Sequence, residues 1–369
     1  MDESWLALAL VPGIGAARFA ALLDRFDSPN GALSAPLEVL CTVPKITAPI
    51  AEAIKQADRK AAARALLRLA ELGGTVLLPG AEGFPELLRQ LPDPPLCLFA
   101  QGDLTLLTRP AIAIVGSRNH SHYGAEVCRA VARAAAELGL VVVSGMARGL
   151  DAVAHRGALD AGGGTIGVLG SGLGVVYPVS NRSLYLRVLE RGLLITELPP
   201  HQRPHEGSFP RRNRLISGLA RVTVVVEAAQ ASGALQTAGC AQEQGREVMA
   251  VPGPITSPVS AGTNGLIRDG ATPLLELADL LPHYPEAAPI AVRGPAPEAG
   301  TLAPVEGRIV NALWAGPRRT EELIEATGAP VTDALDALSA LELTGRIRQR
   351  GGGVYELAPT QLFGVRRET

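Results

Sequence analysis

The chain has 369 residues, 47% of them hydrophobic and 4% aromatic, and a formal net charge of −2. That composition excludes wholesale disorder and a uniformly basic nucleic-acid coat, so any polyanion site has to be a local groove. Cys41, Cys97, Cys128 and Cys240 are scattered, with no CxxC pair, which excludes a zinc finger and reads as reduced, buried thiols. The first apolar run is broken by Pro12-Gly13, and no run is long enough to span a bilayer. A cytoplasmic protein without a membrane partner is expected.

In chain order, Trp5 to about Leu72 reads as helical. Val11-Pro12-Gly13-Ile14-Gly15 resembles the turn of a helix-hairpin-helix unit, where glycine lets backbone N–H groups approach a phosphate. Val43-Pro44-Lys45-Ile46-Thr47 is a weaker echo, and a small bundle using glycine for a tight turn is an equal alternative. Residues 1–74 are therefore assigned to a helical domain of SAM or helix-hairpin-helix type. Thr75–Leu78 and Leu96–Phe99 are predicted strands in a segment rich in proline and glycine.

Residues 75–284 form the predicted core. The apolar runs Ala111–Val115, Leu140–Val143, Thr165–Leu169, Leu193–Thr196, Val222–Val226 and Val248–Val251 alternate with amphipathic stretches such as Ala125–Leu138 and Ala234–Gln244. Near-continuous apolar strands between helices indicate a mostly parallel sheet covered on both faces, a Rossmann-like doubly wound α/β fold. Residues 285–302 read as a Pro/Ala/Gly linker. Residues 303–369 read as a winged helix: Val305–Trp314, Thr320–Thr327 and Val331–Thr344 as helices, then a hairpin turning at Gly351-Gly352-Gly353. Its third helix carries Asp333, Asp336 and Glu342, which repel phosphate, so a protein contact is favoured there over DNA.

Ligands of a doubly wound sheet bind outside the carboxyl ends of its strands. The loops expected there share glycine with hydroxyls or arginine: Gly116-Ser117-Arg118, Ser144-Gly145 with Arg148, Gly170-Ser171-Gly172, and Ser232-Gly233 with Thr237. Phe209-Pro210-Arg211-Arg212-Asn213-Arg214 joins them, adding an aromatic ring, with Arg203 shortly before it. Bare N–H groups and hydroxyls at helix starts cradle phosphate, and guanidinium groups add bidentate charge. A dinucleotide cofactor is disfavoured, because no clean G-x-G-x-x-G follows the first strand. Asp151 and His155 share a helical face, which fits a metal or acid–base pair but better fits a capping Asp and a packed His. Glu197 and Glu227, at strand ends, are expected to pair with the arginines. No catalytic residue, cofactor or metal is assigned.

These motifs, in order, resemble those of the DNA-processing protein A family (DprA, also called Smf). The resemblance runs from Phe84-Pro85-Glu86-Leu87-Leu88 to Leu281 and includes Ile114–Arg118, Ser121-x-Tyr123-Gly124 and Ser144–His155. It continues through Gly163–Ile166, Tyr177-Pro178-x-x-Asn181, Phe209–Arg214 and Glu227-Ala228. It implies a core that binds single-stranded DNA, dimerises, protects incoming strands and helps load RecA recombinase during natural transformation. It also implies that Gly116, Ser117 and Arg118 hold phosphates, that Phe209 stacks a base and that Arg211, Arg212, Asn213 and Arg214 line the groove. Some members place a lysine before the aromatic, where this chain has Arg203. The alternative is a Rossmann-like hydrolase of nucleoside monophosphates, whose Pro-Gly-Gly-x-Gly-Thr-x-x-Glu loop is not matched at Glu227–Thr237. A third reading makes the terminal domains a protein-interaction hub.

Overall fold

The structure, a computed structural model, describes residues 3–287, 303–314, 316–350 and 352–357 and divides into two units, Met1–Leu274 and Leu275–Thr369. The first unit opens with α1 (Glu3–Ala9), α2 (Ala16–Phe26), α3 (Pro29–Ser34), α4 (Leu37–Leu40), α5 (Ala48–Lys55) and α6 (Arg59–Glu71). Ser28 and Asp58 start α3 and α6 by accepting from the N–H groups of Gly31 and Ala61. The two expected hairpin turns are built alike. Ile14 N donates to Val11 O and Ile46 N to Val43 O, both at 3.1 Å, with Gly13 and Lys45 at φ of 85° and 68°. Arg18 ties the turns together, donating to Gly13 O at 2.7 Å and to Lys45 O at 2.9 Å. Buried Leu6, Phe19, Leu22, Leu40 and Leu69 share one apolar cluster with Val76, Phe99 and Leu194, so the helical part and the sheet share a core.

The sheet contains β1 (Thr75–Leu77), β2 (Leu98–Gly102), β3 (Ala111–Val115), β4 (Val141–Ser144), β5 (Thr165–Val168), β6 (Leu193–Thr196), β7 (Val222–Val225), β8 (Glu247–Ala250) and β9 (Thr272–Pro273). Helix α7 (Glu86–Arg89) lies between β1 and β2. Helices α8 (His122–Glu137), α9 (Leu150–Asp160), α10 (Arg182–Arg191), α11 (Ser208–Gly218), α12 (Gly233–Glu243) and α13 (Ala261–Arg268) connect the rest. The strand order is β1-β2-β6-β5-β4-β3-β7-β8-β9. From β6 to β9 all neighbours run parallel, while β2 runs antiparallel to β6 and to β1. Strands β3 to β7 are buried along their whole length, which explains their unbroken apolar runs.

Successive strands move from β3 outward to β6, and the chain then crosses back to place β7 on the other side of β3. The carboxyl ends of β3 and β7 therefore flank the switch point where such sheets bind ligands. Several boundaries shift from the sequence reading, such as α8, which starts at His122 and not Ala125, and β8, which runs Glu247–Ala250 and not Val248–Val251. Strand β2 starts at Leu98, not Leu96, because the Leu96 carbonyl accepts from the Trp5 indole at 2.9 Å. Strand β9 has only two residues, too short to show any period.

In the second unit, α14 (Pro304–Trp314), β10 (Arg318–Arg319), α15 (Thr320–Thr327), α16 (Val331–Leu343), β11 (Ile347–Arg350) and β12 (Val354–Leu357) make a winged helix. Its antiparallel sheet has the order β10-β12-β11. Ile309, Leu313, Leu323, Leu338, Leu341, Ile347 and Leu357 form its core. Helix α16 turns Ala334, Ala337, Leu338 and Leu341 inward and leaves Asp333, Asp336 and Glu342 exposed. Arg348 and Arg350 both pair with Glu356 across the wing. Most of the expected linker (288–302), Gly351 of the expected turn and residues 358–369 lie outside the described residues.

Candidate nucleic-acid interface

The loops that leave β3, β4, β5, β6 and β7 meet on one edge of the sheet around two adjoining cavities. The first, about 230 Å³, is lined by Arg118, Gly145, Arg148, Gly170, Ser171, Phe209 and Arg212, together with Tyr177, Pro178 and Ser180. The second, about 530 Å³, opens at the switch point. Gly116, Ser117, Arg118, Asn213, Ser232, Gly233 and Thr237 line it, and Phe209 and Arg212 reach it from the shared wall. Arg118, Phe209 and Arg212 thus stand between the two. Ser144, Gly172, Arg203, Arg211 and Arg214 line neither.

Phe209 sits in the first turn of α11, half-buried, with its ring laid over Gly170. A Cβ on Gly170 would lie 2.7 Å from the ring, so the close approach requires glycine there. The ring faces the cavities and is not enclosed in the core. Arg118, Arg148 and Arg203 are exposed and make no hydrogen bond or ion pair among the described residues.

The remaining arginines of the cluster have partners. Arg214 donates to Glu197 at 2.6 Å and to Asp93 O at 2.7 Å, which turns it toward the start of the core. Arg211, more exposed, lies 3.5 Å from the same Glu197. Arg212 is 7% exposed and donates to the carbonyls of Gly145 and Val168, bridging the ends of β4 and β5. Burial lowers its pKa to about 10, while the nearby Asp151 carboxylate works the other way. A Cβ on Gly145 would meet both Arg212 Nη1 and Asp151 Oδ2, at 2.4 and 2.6 Å, so this pair dictates the glycine.

Asp151 lies in the first turn of α9, accepts from Ala147 N at 3.4 Å, and has its pKa raised by burial against the pull of Arg212. One turn later His155 bonds Thr165 Oγ1 at 2.7 Å and packs against β5. Burial, reinforced by Arg212, lowers its pKa to about 3. Among the described residues, no group of three or more His, Cys, Asp or Glu could hold a metal ion.

The two strand-end carboxylates divide. Glu197 pairs with arginines as expected. Glu227 does not: its buried carboxylate accepts from Ser121 N at 2.9 Å and from Ser121 Oγ. Ser121 caps α8, and a carboxylate at a helix start is favoured by the exposed N–H groups and the helix dipole. Hydroxyls of the predicted loops are also partly spoken for. Ser117 Oγ donates to Asn119 O, Ser144 Oγ to Ile114 O, Ser171 Oγ to Val175 O, and Ser232 Oγ accepts from Ala234 N. Tyr177, Ser180, Asn119 and Gln236 also line the cavities and were not among the expected site residues. Tyr177 had a signal, being an aromatic in a polar loop of a chain that has few.

Comparison with known proteins matches these features. The family model for DNA recombination-mediator protein A covers residues 75–285, and that for the DprA winged helix domain covers 293–353. Protein Smf of Escherichia coli (strain K12) is 39% identical over 292 residues, spanning 76% of this chain and 77% of its own length. The X-ray structure of DNA processing protein A from Streptococcus pneumoniae superposes with a TM-score of 0.67 at 31% identity, covering 76% of this chain and 98% of that one. DNA processing protein A from Helicobacter pylori, whose structure is described for its single-stranded DNA binding mode, superposes at 0.53 with 30% identity, covering 58% and 96%. None of the described helices is long and apolar enough to cross a membrane. The chain belongs to the DNA recombination-mediator protein A family, and its C-terminal part is the DprA winged helix.

Proposed function

We propose that this chain binds single-stranded DNA along the loop edge of its core, without catalysis, protects the strand and helps load RecA recombinase onto it. The observation that carries this reading is a half-buried phenylalanine facing two cavities beside Arg118 and Arg148, cations with no partner among the described residues. A single strand presents phosphates and open base faces together, and sequence-tolerant stacking contributes about 1–3 kcal/mol per base. Gly116, Ser117, Ser232, Gly233 and Thr237 line the wider cavity and serve the phosphates, with Arg118 bridging to the aromatic side. Arg212, through the Gly145 and Val168 carbonyls, and Arg214, through Glu197, support the groove and do not contact phosphate themselves. The core dimerises, and the acidic outer face of α16 contacts protein.

The test is binding to oligothymidine. Arg118→Ala and Phe209→Ala are each expected to weaken it while the melting temperature stays near that of the parent. Two variants that bind like the parent would remove the groove from consideration. Light scattering of the free protein checks the dimer, and RecA filament formation on pre-coated strands checks the loading role. Release of free base from nucleoside monophosphates would instead establish the hydrolase alternative.

A further inference from the structure

The first cavity contains a second ring. Tyr177 is 50% exposed, its centroid 5.5 Å from that of Phe209 and its plane tilted by 40°. A base clamped between two rings needs about 7 Å, twice the ~3.5 Å contact distance of stacked carbon atoms. The pair therefore cannot sandwich a base between its two rings, and a base stacked on Tyr177 takes its outward face, beside the one on Phe209. A residue serving only to cover Phe209 would gain by burying its ring, yet Tyr177 as a whole stays half-exposed.

The loop that carries the ring is held at the groove. Asn181, 5% exposed, donates its amide to Met146 O at 3.0 Å and to Ala147 O at 2.9 Å. These carbonyls belong to the loop after β4, which also carries Arg148. Ring and cation thus line the same 230 Å³ cavity on two loops joined by one buried side chain. That volume is below the ~300–1,000 Å³ of pockets that enclose a drug-sized ligand, so the aromatic wall serves a base lying across its mouth.

We propose that Tyr177 is a second base-stacking residue of the groove, receiving the nucleobase next to the one on Phe209, and that Asn181 is its positioning residue. The proposal rests on the single-strand reading above and adds to it a footprint of at least one more base on the Arg148 side.

The experiment compares Tyr177→Leu and Tyr177→Phe on oligothymidine and on an abasic strand of equal length. Leucine keeps an apolar cover over Phe209 but has no π-face. It is expected to weaken oligothymidine binding by about 5–150-fold, the range for one stacked base. Phenylalanine should bind like the parent, and all three proteins should bind the abasic strand alike. The dependence on salt should be unchanged, because stacking releases no counterions. Asn181→Asp, which cannot donate to the two carbonyls, should reproduce the leucine pattern. Full-strength binding by Tyr177→Leu, or an equal loss on the abasic strand, would overturn the role of Tyr177. A parent protein that binds neither strand would instead refute the function on which the proposal rests.

Discussion

The chain carries two arginine-rich regions on folds that elsewhere bind nucleic acid, and they use the same side chain in opposite ways. On the loop edge of the core, Arg118 and Arg148 are exposed and unpaired among the described residues, beside Phe209. In the wing, Arg348 and Arg350 converge on Glu356, and the helix before them presents Asp333, Asp336 and Glu342. Arginine content alone does not separate the two regions. What separates them is whether the guanidinium still has donors to give, because a cation already neutralised by a carboxylate releases no counterions from DNA.

The largest expected effect tests the arginine the core buries. Arg212→Met leaves the buried carbonyls of Gly145 and Val168 without their donor and removes the cation near Asp151, and should lower stability by about 2–5 kcal/mol in urea melts. Arg348→Met, at a partly exposed pair, should cost about 1 kcal/mol or less. Similar losses for the two would erase the distinction between supporting and surface arginines.

A smaller effect follows from His155. Its pKa in the fold is about 3, against an ordinary value of 6.5, so between these pH values the unfolded chain holds a proton that the folded one refuses. Burying it neutral costs nothing above pH 6.5, and stability is lost as pH falls, the loss amounting to roughly 2 kcal/mol at pH 5. Asp151 runs the other way, since its raised pKa makes ionisation costly as pH climbs above 3.8. Thermal melts at pH 5 and pH 7.5 should show the core losing more than the winged helix, which has no buried histidine among its described residues. His155→Gln should narrow that gap, and an unchanged gap would place the acid sensitivity elsewhere.

The smallest effect is the most diagnostic. Arg118→Ala should reduce the slope of log affinity against log salt by about 0.7, the value for one phosphate contact on a single strand. Arg350→Ala should leave the slope alone. The reverse result would move the DNA interface to the wing.

Much of this was legible in the sequence because it is local. The apolar runs of β3 to β7 announce burial on both faces, and the helices of the winged unit follow their own period. The division of labour among the arginines was not legible, because the partners lie far along the chain. Arg214 reaches Glu197 over 17 residues and Asp93 over 121, while Ser121 meets Glu227 over 106. No window of neighbouring residues contains those pairings. Phe209–Arg214 reads as one cationic stretch, yet helical geometry sends its side chains in different directions: one ring to the groove, one guanidinium inward and two toward Glu197.

The margins of the large sheet have a consequence for handling and for concentrated solutions alike. It ends on one side in the three residues of β1 and on the other in the two of β9, the last of them Pro273, which has no N–H to offer. Long, flat, unpaired margins recruit strands from other molecules, and short ones ending in proline do not. A chain with so many continuous apolar runs would otherwise be at risk of sheet-to-sheet aggregation. Any contact between copies is therefore left to side-chain surfaces, which can be made specific, and the protein should stay dispersed at high concentration.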